Sequence, residues 1–276
     1  MKGTLAAIDY GGPWEVPPIN ELFDFPAIPG TESWEILGVS LSVNRTVLMV
    51  FAAVIIIAAF FLHATRGASV VPNKAQNLAE GFVELIRTQV ALPSIGPEGN
   101  KFLPFLTTIF AYVFLLNLFK LTPGIMLPPT SRMGIPAFLA AVVLVTYVVV
   151  GVRKHGGSYF KDTLFPPGLP LWTYLIVTPI ELLSNFVLRP VTLAIRLFAN
   201  MVAGHILVVL TLITIHAFLT VGLFGEPLSA TTPIGVAALL ASPAVFAFEL
   251  LIITVQAFIF TILSAVYIGL AMETEH

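Results

Sequence analysis

The sequence predicts an all-α membrane protein of about five transmembrane helices, the last two long and strongly tilted, with one interfacial amphipathic helix beside them. Three observations carry this fold class. Of 276 residues, 57% are hydrophobic and 10% are charged, with a mean hydropathy of +0.96; a soluble domain carries about 25% charged residues. The apolar stretches are continuous rather than alternating, which suits helices and not barrel strands. The two C-terminal stretches are each about twice as long as a bilayer core requires.

Residues 1–44 read as an extracytoplasmic arm. Pro13, Pro17, Pro18, Pro26 and Pro29 interrupt any long helix there, among the acids Asp9, Glu15, Glu21, Asp24, Glu32 and Glu35. No basic n-region followed by an apolar run opens the chain, so no cleaved signal peptide is expected. Residues 45–273 then form the membrane domain. Its first span is 46–64, between Arg45 and Arg66. Residues 72–91 mix Lys74, Gln76, Asn77, Glu80, Glu84 and Arg87 with Leu78, Phe82, Leu85 and Ile86 at helical spacing. That pattern makes an amphipathic helix lying at the interface. The next spans are 105–121, ending at Pro123-Gly124, and 135–152, closed by Arg153-Lys154-His155.

The long stretches are 171–221 and 232–272. Pro190 and Pro243 mark the places where each could kink. No polar loop offers a re-entry hairpin, so each is expected to be one helix. If the spans alternate, Arg66, Lys74, Arg87, Lys101, Arg153, Lys154 and Lys161 share one side, against Lys2, Arg45, Lys120 and Arg132. The excess of basic residues puts the first group in the cytoplasm. The N-terminus is then outside and the C-terminal tail cytoplasmic.

Composition also excludes some chemistry. There are no cysteines, hence no disulfide, thiol nucleophile or cysteine-ligated metal. No His-Glu-x-x-His spacing and no phosphate-binding loop occurs, and the net charge of −2 gives no sign of nucleic-acid binding. No cofactor or metal is expected.

What remains is a set of polar side chains inside the membrane. An arginine at a helix centre costs roughly 2.5–3.5 kcal/mol on insertion scales. It cannot escape by losing its proton. Arg196 stands in the middle of 171–221. At 100° per residue, Asn200, Thr192, Arg189 and Asn185 all fall within about 40° of it, while His205 falls on the opposite side. On the last helix Glu249, Gln256 and Tyr267 share one face. An antiparallel register that sets Arg196 level with Gln256 brings His205 level with Glu249, and Glu181 near Glu273. The layout is an outer acid/imidazole pair, a central arginine with amides, and inner carboxylates. Histidine and glutamate exchange protons near neutral pH, and a fixed arginine separates two offset routes. The carboxylate that would carry protons past it is missing from this chain and belongs on a partner. A self-contained ion-coupled carrier would instead show internal repeats and broken helices in both halves, and neither is seen. An intramembrane hydrolase using His205 and Glu249 would lack a third metal ligand.

The stretch Leu193-Ala194-Ile195-Arg196-Leu197-Phe198-Ala199-Asn200-Met201-Val202-Ala203-Gly204-His205 resembles the a subunit of F-type ATP synthases. Glu249-Leu250-Leu251-Ile252-Ile253-Thr254-Val255-Gln256 is similar to that family's second signature, and Asn117 to Gly124 and Gln76 to Glu80 are weaker matches. The resemblance covers residues 46–273. It implies a bacterial inner-membrane subunit, not catalytic alone, that conducts protons through two half-channels. It implies that Arg196 faces the rotor ring, and that Asn200, His205, Glu249 and Gln256 line the outer half-channel. The His205/Glu249 pair looks like the mitochondrial arrangement. Glu181, Asn185, Arg189, Thr192, Tyr267 and Glu273 are further channel-lining candidates. Implied partners are the c-subunit ring, peripheral-stalk b subunits against the first span and amphipathic helix, the other ATP synthase subunits, and lipids. Three positions depart from the family pattern. Lys120 stands where glycine is frequent, Arg132 stands where an acid is frequent, and Glu181 lies one residue further from Arg196 than the usual inner acid. Lys120 and Arg132 are expected to put positive charge near the outer mouth.

Overall fold

The computed structural model describes residues 35–36, 39–40, 44–66, 72–122, 128–165, 172–220 and 232–273. The expected N-terminal arm lies outside the described residues, apart from two short strands. These are β1 (Glu35–Ile36) and β2 (Val39–Ser40), paired antiparallel with Glu35 opposite Ser40. The 222–231 loop also lies outside them, as does the tail beyond Glu273.

The rest of the described chain is helical. It comprises α1 (Arg45–Thr65), α2 (Lys74–Ile86), α3 (Leu92–Ile95), α4 (Leu103–Leu118), α5 (Gly134–His155), α6 (Ser158–Leu164), α7 (Tyr174–Leu183), α8 (Arg189–Ile215) and α9 (Thr232–Met272). Five helical runs are long and apolar enough to cross a membrane: Arg45–Thr65, Leu103–Leu121, Gly134–His155, Tyr174–Phe218 and Pro233–Met272. This is a multi-pass membrane protein.

Local chemistry sets the ends. The Asn44 side chain accepts from the Val47 N–H at 3.0 Å and starts α1, and Asn73 does the same for α2 with Gln76 at 2.8 Å. Gly156, at φ +63°, turns the chain out of α5 in a conformation that side chains resist.

The 45-residue run containing α7 and α8 is continuous. At ~1.5 Å per residue it reaches roughly 68 Å, far beyond a bilayer core of about 30 Å. Pro190 does not break it. Instead, residues Ser184–Leu188 form one π turn just before Arg189-Pro190. Proline lacks an N–H and its ring crowds the carbonyl four residues back, so a locally wider turn relieves both problems. The same device precedes Pro93, where Arg87–Ala91 form a π turn between α2 and α3. Pro243 sits inside α9 without interrupting it.

Helices α4, α5, α8 and α9 share one core. Leu106, Val113, Val143 and Tyr147 meet Leu193, Leu197 and Met201 of α8 and Ile253, Ala257, Phe260 and Ile268 of α9. The α8 contributors recur every three or four residues, so one face of that helix is spent on packing. α1 is peripheral, with Phe51, Val54, Ile55 and Leu62 exposed. The packed side of α2 is Gln76, Ala79 and Ile86, whereas Leu78 and Leu85 point outward. The amphipathic helix thus has apolar side chains on two faces, only one of which this chain covers.

Candidate functional site

The site is built where α8 and α9 cross. Packing decides what α8 presents. Leu193, Ala194, Leu197, Met201, Gly204, His205 and Val208 are buried, whereas Thr192, Ile195, Arg196, Ala199 and Asn200 are exposed. The central arginine therefore stands on an outward face of the helix pair, not inside the chain's own core.

The antiparallel register agrees with the expected one to within about a turn. The Asn200 side-chain amide donates to Gln256 Oε1, tying α8 to α9 one turn beyond Arg196. Further along, Gly204 abuts the Glu249 carboxylate. His205, the next residue, is 4% exposed on the buried face of α8, opposite Arg196 as the 100° periodicity requires. Glu249 is fully buried, and so is Gln256 apart from 1% of its surface.

Glu249 has a partner that the sequence reading did not assign to it. Lys120, on the turn Phe119–Leu121 after α4, donates from Nζ to Glu249 Oε2, and both side chains are completely buried. The charge expected near the outer mouth is buried and paired. The ammonium is inside the protein, because a buried carboxylate and a buried ammonium each need a partner of opposite charge. A signal for it existed. Glu249 is the one carboxylate within 232–272, and Lys120 is the one charge within 105–121. Nearby, Thr130 donates its hydroxyl to Asn117 Oδ1 at 2.7 Å, fastening the turn Pro129–Ser131 to α4.

The other end of α8 differs from expectation in one respect. Asn185 does not share the face of Arg196: it is 5% exposed and turned into the protein. The π turn at Ser184–Leu188 winds more loosely than an α-helix, so periodicity carried through it from Arg196 loses phase. There Asn185 donates to Glu181 Oε2 at 2.8 Å, while its backbone carbonyl accepts from the Tyr147 hydroxyl of α5. Arg189 lies over the Tyr267 ring at 5.3 Å, and Tyr267 meets Tyr147 edge to face at 6.0 Å. Glu181, Asn185, Arg189 and Tyr267 therefore form one polar cluster with Tyr147, a residue the sequence reading did not single out. Thr192 turns its hydroxyl back to the Leu188 carbonyl at 2.7 Å, and Glu273 stands exposed just beyond α9.

Two groups beyond the spans bear on this end. Burial pushes the Tyr159 phenol up, where Tyr159 of α6 seats against Gly151 of α5. Hydrogen bonds from Lys101 and Lys154 hold the Glu98 carboxyl below its ordinary value.

Chemically, this arrangement holds a buried carboxylate–ammonium pair and a buried imidazole at one end, an amide pair midway, an exposed guanidinium on an outer face and a carboxylate–amide–tyrosine cluster at the other end. Among the described residues, no group of three histidines or carboxylates could hold a metal ion.

Comparison with known proteins places this geometry. The family model for the ATP synthase A chain matches residues 46–269. The chain is 38% identical over 239 residues to an ATP synthase subunit a of Rhodococcus erythropolis, covering 84% of this chain and 83% of the relative. It is 38% identical over 268 residues to that of Frankia alni, covering 94% and 87%, and 38% identical over 264 residues to that of a Nocardioides species, covering 94% of each. Matches of this extent take in both long helices and the crossing that joins Asn200 to Gln256, and this chain belongs to the ATP synthase A chain family.

Proposed function

We propose that this chain is the proton-conducting stator subunit of the membrane sector of a bacterial F-type ATP synthase. It forms two offset half-channels to and from carboxylates on a rotating c-subunit ring. The observation that carries this reading is the exposure of Arg196 in the middle of a membrane helix whose opposite face is packed. A guanidinium facing hydrocarbon costs roughly 2.5–3.5 kcal/mol or more, so the face that carries it is built to meet a polar partner. A ring of carboxylates on another chain supplies that partner and the proton carrier this chain lacks.

In this reading a proton from outside passes the His205/Glu249 region and then Asn200 and Gln256. It neutralises a ring carboxylate, which can then turn into lipid. On return, that carboxylate meets Arg196, releases its proton, and the proton leaves past Asn185, Glu181 and the Arg189/Tyr267 cluster. Thr192 and Glu273 flank that exit. The fixed charge of Arg196 stops a proton from passing directly between the two routes. ATP chemistry belongs to other subunits of the complex.

The basic residues of 153–161 and of the 66–101 segment favour a cytoplasmic location for both, with the N-terminal arm of residues 1–44 outside and the tail inside. The outward Leu78 and Leu85 of α2, and an apolar groove of about 490 Å³ between α1, α2 and α4, suit a peripheral b-subunit helix. A self-contained carrier is not favoured for a chain of this family.

The test is Arg196→Ala in the whole complex, with ATP-driven proton pumping measured in membrane vesicles. Loss of pumping is expected, and unchanged pumping overturns the proposal.

A further inference from the structure

We propose that Lys120 is a positioning residue of the outer half-channel, an internal counter-charge with which each entering proton competes for Glu249. This rests on the reading of Glu249 as a proton relay.

The geometry is specific. Lys120 approaches Glu249 from the turn after α4, bonds only Oε2, and is as completely buried as its partner. Glu249 Oε1 has no hydrogen-bond partner among the described residues. One carboxylate oxygen is thus occupied by the ammonium, while the other, equally buried, keeps its hydrogen-bonding capacity for an arriving proton. Gly204 seals the other side, since any Cβ there would run into both Lys120 Nζ and the carboxylate. The pair therefore fills the space between α4, α8 and α9, beside His205.

The elements packed around Glu249 carry few other ionisable groups. Among the described residues those are His205 and the outward Arg196 on α8, His216 on the π turn that follows it, Arg132 after the turn Pro129–Ser131, and Tyr112 on α4, with Arg189 of α8 and Tyr267 of α9 at the far end of their helices. On α5 the titratable groups, Tyr147 and Arg153 to His155, lie toward the opposite end. Lys120 is in direct contact with the carboxylate.

The relay step is a plain proton transfer. A proton arriving at Oε1 converts the carboxylate to the acid, and the ion pair becomes a hydrogen bond between the ammonium and a neutral carboxyl. Lys120 keeps its own proton throughout. When Glu249 passes its proton toward Gln256 and Asn200, the ion pair re-forms and pulls the carboxylate back to its seat against Gly204. Lys120 thus opposes loading and favours unloading and resetting. A staple with no part in conduction would not bias loading against unloading.

The test uses the assembled ATP synthase in vesicles, with the rate of ATP synthesis followed against proton concentration on the outer side. Lys120→Met, which removes the charge and keeps most of the length, is expected to lower the outer proton concentration for half-maximal rate by about tenfold or more. Lys120→Arg is expected to stay near the wild-type value. An unmoved half-maximal concentration in assembled Lys120→Met overturns the proposal. If that variant does not assemble, infrared difference spectra of the wild-type complex against Glu249→Gln decide the matter. A carboxylate band from Glu249 at neutral pH supports the proposal, and a protonated carboxyl band overturns it. Glu249→Gln also separates this inference from the one beneath it. If Glu249→Gln conducts normally, the reading of Glu249 as a relay fails. If it blocks conduction while Lys120→Met leaves the profile unmoved, only the role of Lys120 fails.

Discussion

Gly204 and Glu249 are in contact so close that no side chain fits between them. A Cβ on Gly204 would lie 2.5 Å from Glu249 Oε2 and 2.7 Å from Oε1. The absence of a side chain at this one position lets α8 and α9 approach with a carboxylate between them.

Gly204→Ala follows directly. The added methyl must push the carboxylate, Lys120 or the helix backbones, and overpacking of this kind costs about 1–3 kcal/mol. The expected result is less assembled complex at raised temperature, with slower ATP-driven pumping in what does assemble. Both are read by quantifying the complex in membranes and by pumping per complex. Wild-type assembly and pumping together would contradict the close contact.

Tyr147 and Asn185 yield a second prediction. The π turn at Ser184–Leu188 perturbs the regular backbone ladder, and the Tyr147 hydroxyl donates to the Asn185 carbonyl within it. Tyr147→Phe removes that donor while keeping the ring against Tyr267. Leaving a buried carbonyl unsatisfied costs about 1–3 kcal/mol. A lowered melting temperature of the purified complex is expected. Slower proton release, with ring loading unaffected, is expected in single-turnover proton-transfer measurements.

Glu98 gives a pH-dependent prediction outside the spans. Its carboxylate accepts from Lys101 at 3.3 Å and from Lys154 at 3.4 Å, so it joins the segment before α4 to the end of α5. These hydrogen bonds and charges depress its folded value below the ordinary 4.5. The contribution is therefore present above 4.5 and fades as pH falls through the lower folded value. A spin label at Asn100 should become more mobile over that acidic range, and Glu98→Gln should show the mobile state already at neutral pH. The pair is exposed, so the effect on overall stability is expected to be small.

Much of this site was legible in the chain. Arg196, Asn200 and Thr192 share one face because all three lie within one uninterrupted stretch of helix, where 100° per residue holds. His205 falls on the opposite, buried face for the same reason. Asn185 was not placed correctly, because the π turn between it and Arg196 resets the rotation. Periodicity makes Leu78 and Leu85 part of an apolar face of the amphipathic helix, but does not say that its tertiary contacts use Gln76, Ala79 and Ile86 instead.

By itself the sequence determined the class of protein, five apolar runs, the isolated charge at Arg196 and the depth at which Glu249 meets α8. These are local properties, set by hydropathy, by helical rise and by the cost of charge in hydrocarbon. Only the tertiary structure decided that Arg196 faces outward, that Tyr147 reaches the Asn185 carbonyl and that Lys120 closes on Glu249. Those outcomes depend on how each helix is rotated about its axis and where it crosses its neighbours. Rotation and crossing are set by the packing of Leu197, Met201, Ile253 and Phe260 in the shared core, which no periodicity within a single helix encodes.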